Sequence, residues 1–377
     1  MKRILITGGA GFIGTHLARR AIAAGHQVRI LDNLSPQIHG PGVDYEPPPG
    51  TEFLRGDVTV RENMEHALQD VDTVVHLAAE TGTGQSMYEI ERYYRVNVGG
   101  TALLFDILAN SERPSVENFV LASSRSVYGE GAYICRSCDS AGRRCFPPPR
   151  SPEQLARQEW EPHCPHCGTA VEATATREDD ALSPASVYAA TKLAQEELVR
   201  VACQSMGIAH AILRLQNVYG EGQSLKNPYT GILSIFSTRI RRGLPVPIFE
   251  DGNETRDFVH VEDVVEMVLA CIEKPSVDGA TLNVGSGRPI SVMEVAKLLC
   301  RVMQSEIVPH VVGKYRIGDI RHNFADIALA ERTTGLRPRV GLDCGLERFC
   351  NWVATQKLSE DMLDQANARL EARKMMG

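Results

Sequence analysis

The sequence predicts an α/β protein built on a doubly wound parallel sheet, and three observations carry that prediction. Short apolar runs alternate with longer stretches whose apolar residues recur at helical spacing. The first run leads straight into a glycine-rich turn. The later runs end in small or polar residues, where open sheets of this kind bind their ligands.

In chain order, residues 3–7 read as the first strand, and Gly8-Gly-Ala-Gly11-Phe12-Ile13-Gly14 opens a helix that stops at Gly25. Residues 26–31 read as the second strand, ending in Asp32-Asn33. Gly8 permits a tight turn, Gly11 lets a pyrophosphate approach the backbone, and Gly14 lets helix and strand pack closely. The free N–H groups of the helix N-terminus favour phosphate. A carboxylate at Asp32 accepts hydrogen bonds from ribose hydroxyls and repels a 2′-phosphate, so the expected cofactor is NAD rather than NADP. Residues 52–54, 73–77, 119–122 and 209–215 are the further strands. Beyond them lie Gly56-Asp57-Val58, His76-Leu77-Ala78-Ala79, Ser123-Ser124 and Asn217. Asp57 is expected at the adenine amino group and Ala78-Ala79 along the cofactor.

Tyr188-Ala-Ala-Thr-Lys192 places a phenol and an ammonium on one helix face. That helix is expected over 185–206, with Pro184 at its start and Gly207 as its stop. Its apolar positions are Val187, Leu193, Leu198 and Val201. A cation beside a phenol of reference pKa about 10 favours the phenolate, so Tyr188 is a candidate base and Lys192 its charge. Taken alone, the pair fits a surface helix equally well.

Hydrophobic residues make up 43% of the 377 and charged residues 23%, an ordinary globular balance. The net charge of -7 speaks against a nucleic-acid partner. No leader pattern or membrane-length apolar run is present, so a cytoplasmic protein without a membrane partner is expected. Its ten cysteines are then thiols or metal ligands rather than disulfides. Cys135-Arg-Ser-Cys138 and Cys164-Pro-His-Cys167-Gly168 are two knuckles with 25 residues between them. That pattern matches a structural zinc with four thiolates, iron being the minor alternative. Four thiolates leave no open position, so the metal is expected to be structural.

Gly8xxGly11xxGly14, Asp32, Asp57, His76-Leu-Ala-Ala, Asn97, Ser124 ahead of Val127-Tyr128-Gly129, and Tyr188xxxLys192 together resemble the extended short-chain dehydrogenase/reductase family. The closest subgroup is the nucleotide-sugar epimerases and dehydratases, and the likeness runs from about residue 2 to about residue 350 apart from one insert. The resemblance implies a Rossmann-type NAD domain over 1–216, interrupted by a zinc-knuckle insert over 130–180. A smaller α/β nucleotide-sugar domain over 217–357 follows, with the chain returning to the first. The stretch 358–377 reads as a helical tail without an assigned role. The resemblance also implies that Phe12, Ile13, Asn33, Val58, Leu77 and Asn97 join the cofactor site. Ser124, Tyr188 and Lys192 are the implied catalytic group, with Tyr188 and Lys192 also at the cofactor. Thr81, Ser126 and Asn217 are implied at the sugar, and Arg256, Arg316 and Asp319 at the diphosphate and nucleotide ribose. Arg forks suit the latter because they bind phosphate bidentately.

At Ser124-Arg125-Ser126 the dehydratases of the family carry an acid pair that this chain lacks, which leaves 4-epimerase or simple oxidoreductase chemistry. The insert and the run 314–322 look most like bacterial dTDP-L-rhamnose 4-epimerase-type proteins. UDP-glucose or UDP-glucuronate 4-epimerase, a 4-reductase or dehydrogenase, and a non-catalytic NAD-binding sensor or scaffold are the alternatives. Arg125 replaces a small residue and speaks to an acidic group on the sugar. The insert is expected as a lid or partner surface at the sugar pocket. A homodimer is expected through the helices at about 92–110 and the Tyr188 helix.

Overall fold

Seven short, largely apolar segments pair in parallel. They are β1 (Arg3–Thr7), β2 (Gln27–Asp32), β3 (Thr51–Arg55), β4 (Thr73–His76), β5 (Asn118–Ser124), β6 (Ala209–Leu215) and β7 (Ala280–Val284). Their order in the sheet is β7-β6-β5-β4-β1-β2-β3. The computed structural model describes residues 1–377 except 113, 114, 228, 230 and 359. Ile4 of β1 lies between Val28 of β2 and Thr73 of β4. The chain winds outward from β1 to β3 and then crosses to β4, so the order reverses between β1 and β4. A crevice opens at that point beyond the carboxyl ends of the strands.

Helices cover both faces, which is why β1 and β4 are buried almost throughout. One face carries a layer with Leu17, Ala21, Val264 and Val268. The other carries Met64, Leu104, Phe105, Phe119 and Val199. Helix Val261–Glu273 therefore packs on the first sheet, beside helix Phe12–Ala23, and β7 forms the sheet's edge. A separate core of Leu233, Phe236, Val292, Leu299 and Phe349 serves the smaller lobe.

The Tyr188 helix spans Val187–Met206, starting two residues later than expected. The Ser186 side chain accepts the Ala189 N–H at 3.2 Å, and Gly207 at φ 67° ends the helix. Its buried face differs from the expected one. Val201 is 67% exposed, while Thr191, Lys192, Gln195 and Glu196 are buried with Val199 and Cys203. The physical reason is a buried ion pair. Arg214 of β6 donates to both Glu196 oxygens, and Ser123 of β5 donates to Oε1.

The insert forms three short antiparallel strands, Tyr133–Cys135, Arg143–Cys145 and Glu172–Ala173, and a helix, Pro152–Ala156. Among the described residues no helix is long and apolar enough to cross a membrane.

Candidate active site

The first turn behaves as its glycines demand. Gly8 has φ 68°, and a Cβ there would meet the Ala78 backbone at 2.8 Å. A Cβ on Gly14 would lie 2.5 Å from Gly9 Cα. Gly11 is more open, with only the Gly8 carbonyl oxygen near, at 3.1 Å. It is the N-cap of helix Phe12–Ala23, whose first turn has no side-chain cap and no acid. Uncapped N–H groups facing a groove are what a pyrophosphate requires.

A 280 Å³ groove at this turn is lined by Gly8, Gly11, Phe12, Ile13, Gly14, Asp32, Asn33, Asp57, Val58, Leu77, Ala78 and Ala79. The Asn33 amide donates to Asp57 at 2.9 Å, joining the ends of β2 and β3. Asp32 accepts the Ala10 and Leu34 N–H groups, which holds its carboxylate at the groove wall. Of the expected cofactor residues outside the groove, Tyr188 and Lys192 line the adjoining cavity and Asn97 lines neither. It is fully buried in a π-helical turn, Tyr94–Gly99, and does not line the groove. Its amide bonds Glu80 and Thr191, tying the β4 loop to the Tyr188 helix. His76 is also scaffold. It sits between Thr7 and Thr101 hydroxyls, and burial holds its pKa down at about 3.

The groove leads into a 380 Å³ cavity lined by Thr81, Ser124, Arg125, Ser126, Tyr188, Lys192, Asn217 and Tyr229, among others. Ser126 donates to Ser124 Oγ at 3.0 Å, and the Ser124 hydroxyl lies beside the Tyr188 phenol and pulls its pKa down. The Tyr188 N–H donates to Ser86 Oγ at 3.0 Å, and Tyr93 sets its ring edge-on to that of Tyr188. Neither partner is visible as a motif in the sequence. Lys192 donates to the Ala122 carbonyl at 2.9 Å, and burial lowers its pKa to about 8.

Charge around Tyr188 departs from the expected arrangement. Burial raises its phenol pKa, while the Ser124 hydroxyl and the Arg125 charge pull it down. The Lys192 ammonium lies 6.0 Å from the ring centroid. Arg125 is therefore a second cation beside the phenol, in addition to Lys192. Burial and the nearby Arg256 lower the Arg125 pKa to about 9.

The arginines divide by what their N–H groups already touch. Arg256 Nη1 and Nη2 donate to the carbonyls of Thr255, Arg321 and Ile320 and to Asp319. Its fork is thus committed to protein oxygens, and, like Arg316 and Asp319, it does not line the cavity. Arg125 bonds Asn217 Oδ1 through Nε at 2.9 Å, but its buried Nη1 has no partner. Arg316 bonds Asn367 through Nη2, and its buried Nε has no partner. Unfilled buried donors are the ones with capacity for a ligand. Asp319, partly exposed, stays below the usual carboxylate range because Arg256, Arg316, Arg150 and Arg125 surround it and outweigh its desolvation.

The Sγ atoms of Cys135, Cys138, Cys164 and Cys167 lie within 4.8 Å of one another. Two of the pairs are at 3.5 and 3.7 Å. Four sulfurs on a tetrahedral zinc at 2.3 Å would stand about 3.8 Å apart, so the donor set fits. No insert residue lines the cavity in the protein alone. The insert instead reaches the segment behind it. Arg150 bonds Glu130, Glu250 and the Asp319 carbonyl, and Glu161 bonds Arg321 and His322.

A sequence model of the NAD dependent epimerase/dehydratase family matches residues 4–164 and 163–285. The chain belongs to that family. The dTDP-L-rhamnose 4-epimerase of Burkholderia thailandensis is 38% identical over 94% of this chain and 96% of its own. Among solved structures, the UDP-glucose 4-epimerase of Thermotoga maritima with UDP-glucose aligns with a TM-score of 0.76. It is 28% identical and covers 93% of this chain and 98% of its own. MoeE5 in complex with UDP-glucuronic acid and NAD gives 0.74 at 29% identity, covering 93% and 99%. This family member is thus an NAD-dependent epimerase of the nucleotide-sugar class.

Proposed function

We propose that the protein inverts C4 of a nucleotide sugar, with dTDP-L-rhamnose and dTDP-6-deoxy-L-talose as the pair it interconverts. The observation that carries the 4-epimerase reading is the meeting of Ser124, Tyr188 and Lys192 where the dinucleotide groove opens into the cavity. The sugar rests on the likeness to the Burkholderia enzyme.

When bound, NAD supplies the hydride acceptor and donor for an inversion without net redox. The residues of the chain handle the proton and the orientation. Tyr188 takes the proton of the C4 hydroxyl and later gives it back. Ser124 bonds O4 and steadies the phenolate, and Ser126 fixes the Ser124 hydroxyl. Lys192, anchored on Ala122, would hold the nicotinamide ribose and add positive charge near Tyr188. Arg316 offers its free Nε to the diphosphate, and Arg125 offers Nη1 to an oxygen of the sugar. The 4-keto sugar must turn over within the cavity to present its other face.

Incubation with dTDP-L-rhamnose, UDP-glucose and UDP-glucuronate, read by NMR at C4, tests the reading. Inversion of the first is expected. Deuterium at C4 that washes into solvent would count against direct hydride return. UDP-glucuronate is the second reading, favoured by the unpaired Arg125 donor, which suits a carboxylate. No turnover of any sugar despite bound NAD would leave a sensor or scaffold.

The four cysteines hold a structural zinc in this reading. Tyr94 and Val201, exposed on adjacent helices, lie on the face assigned to a second copy of the chain. A single-chain mass by sedimentation overturns that assignment.

A further inference from the structure

No sequence motif assigns a role to the segment beyond residue 358, yet it touches Tyr229 of the cavity and the run that carries Arg316. Its helix, Leu363–Glu371, buries Leu363, Ala366 and Leu370. Arg239 holds its approach through Asp361 at 2.5 Å. Residues 375–377 then run antiparallel to 315–317, with Tyr315 N–H donating to the Gly377 carbonyl and Ile317 N–H to that of Met375. The tail is thereby hydrogen-bonded to the strand-like run that carries Arg316.

Two side chains of this helix act on the site. Asn367 is 9% exposed, and its Oδ1 accepts from Arg316 Nη2 at 2.9 Å. The Arg316 guanidinium also stacks on Phe249, at 4.7 Å from the ring centroid. Stacking and the Asn367 bond together define the plane and rotation of the guanidinium, and they leave its buried Nε without a protein partner. An arginine free in water samples many rotamers, and ordering it on binding weakens affinity. Two residues further on, Arg369 donates to the Tyr229 hydroxyl at 3.2 Å. Tyr229 lines the sugar cavity and accepts from Tyr88, over whose ring Arg373 is placed.

We propose that residues 363–377 are part of the nucleotide-sugar site, with Asn367 as a positioning residue that aims Arg316 at a diphosphate. Arg369 is a second positioning residue, acting on the sugar end through Tyr229. The ligand class selected is a nucleoside diphosphate over a nucleoside monophosphate, because an arginine held for a diphosphate gains from the second phosphate's charge. The inference rests on reading Arg316 as a diphosphate ligand.

Titration calorimetry on the full chain with dTDP, UDP, dTMP and UMP tests it. The Asn367→Ala variant is expected to bind the diphosphates about tenfold more weakly, and to bind the monophosphates as the unchanged protein does. In turnover it raises KM and leaves kcat unchanged. Arg369→Ala, an exposed position that keeps the fold, is expected to raise KM for the nucleotide sugar without altering dTDP affinity. Equal losses for diphosphate and monophosphate would mean that Asn367 is merely structural, and unchanged diphosphate affinity would mean that it does not act on Arg316. Either result overturns the proposal while the epimerase reading stands. Failure of the unsubstituted protein to bind either diphosphate would overturn both.

Discussion

Arg125 shows how one side chain can alter the chemistry of another without belonging to the motif. It follows Ser124 directly, so its charge reaches Tyr188 across the end of β5 and not along the helix. The Tyr188 phenol is pushed up by burial and pulled down by Ser124 and Arg125. Removing Arg125 therefore raises the phenol pKa further. A base must be deprotonated to act, so the rising limb of kcat/KM against pH is expected to move to higher pH in Arg125→Ala. Activity falls most near neutrality and recovers on the alkaline side. A limb that stays in place, with only KM changed, would assign Arg125 to substrate binding alone. Arg256 shows the converse. Its motif resembles that of a diphosphate arginine, but four protein oxygens already fill its Nη groups.

The Val187–Met206 helix is held in place by polar contacts. Glu196 is fully buried one turn after Lys192 and meets Arg214, itself buried, in a bidentate pair. Arg214 also bonds the Tyr128 hydroxyl, and Tyr128 bonds Asn283 on β7. The network thus links the Tyr188 helix to β5, β6 and β7. Truncating one partner of such a pair leaves an uncompensated buried charge, at a cost of about 3–5 kcal/mol. Glu196→Ala is expected to lose stability of that order in urea unfolding. It should also lose activity, since Lys192 and Tyr188 ride on the same helix. A loss under about 1 kcal/mol would mean that the pair is hydrated and contributes as a surface pair does.

At the scale of the molecule, the insert joins the lobes by electrostatics. Arg150, almost without exposure, bonds Glu130 at one root of the insert and Glu250 in the second lobe. Arg321, equally buried, meets Glu161, Glu250 and Asp251. These contacts back the run that carries Arg316 and Asp319. Metal analysis is expected to find one zinc per chain. Cys164→Ser should lose it, lower the thermal midpoint and raise KM for the nucleotide sugar, with NAD binding retained. A zinc-free protein of unchanged KM would separate the insert from the site.

Local rules make much of the fold and the site legible in the amino-acid sequence itself. Gly8 and Gly14 are dictated by backbone sterics within a few residues, and the strands expected at 73–77 and 209–215 by short apolar runs, so the doubly wound sheet and the groove follow from sequence alone. The same holds for the cysteine knuckles and for the Tyr188–Lys192 spacing. What the sequence does not supply depends on partners far along the chain. Asn97 reads as a cofactor residue, but its partners Glu80 and Thr191 come from two other elements. Val201 fits an apolar stripe, yet the helix turns its Glu196 face inward because Arg214 lies on that side. The tail has no motif at all, and only folding brings Asn367 to Arg316 across 51 residues. Sequence determines which chemistry is present, because backbone geometry and short-range spacing are local. Tertiary structure decides which donors remain free for a ligand, because that depends on every other polar group that reaches them first.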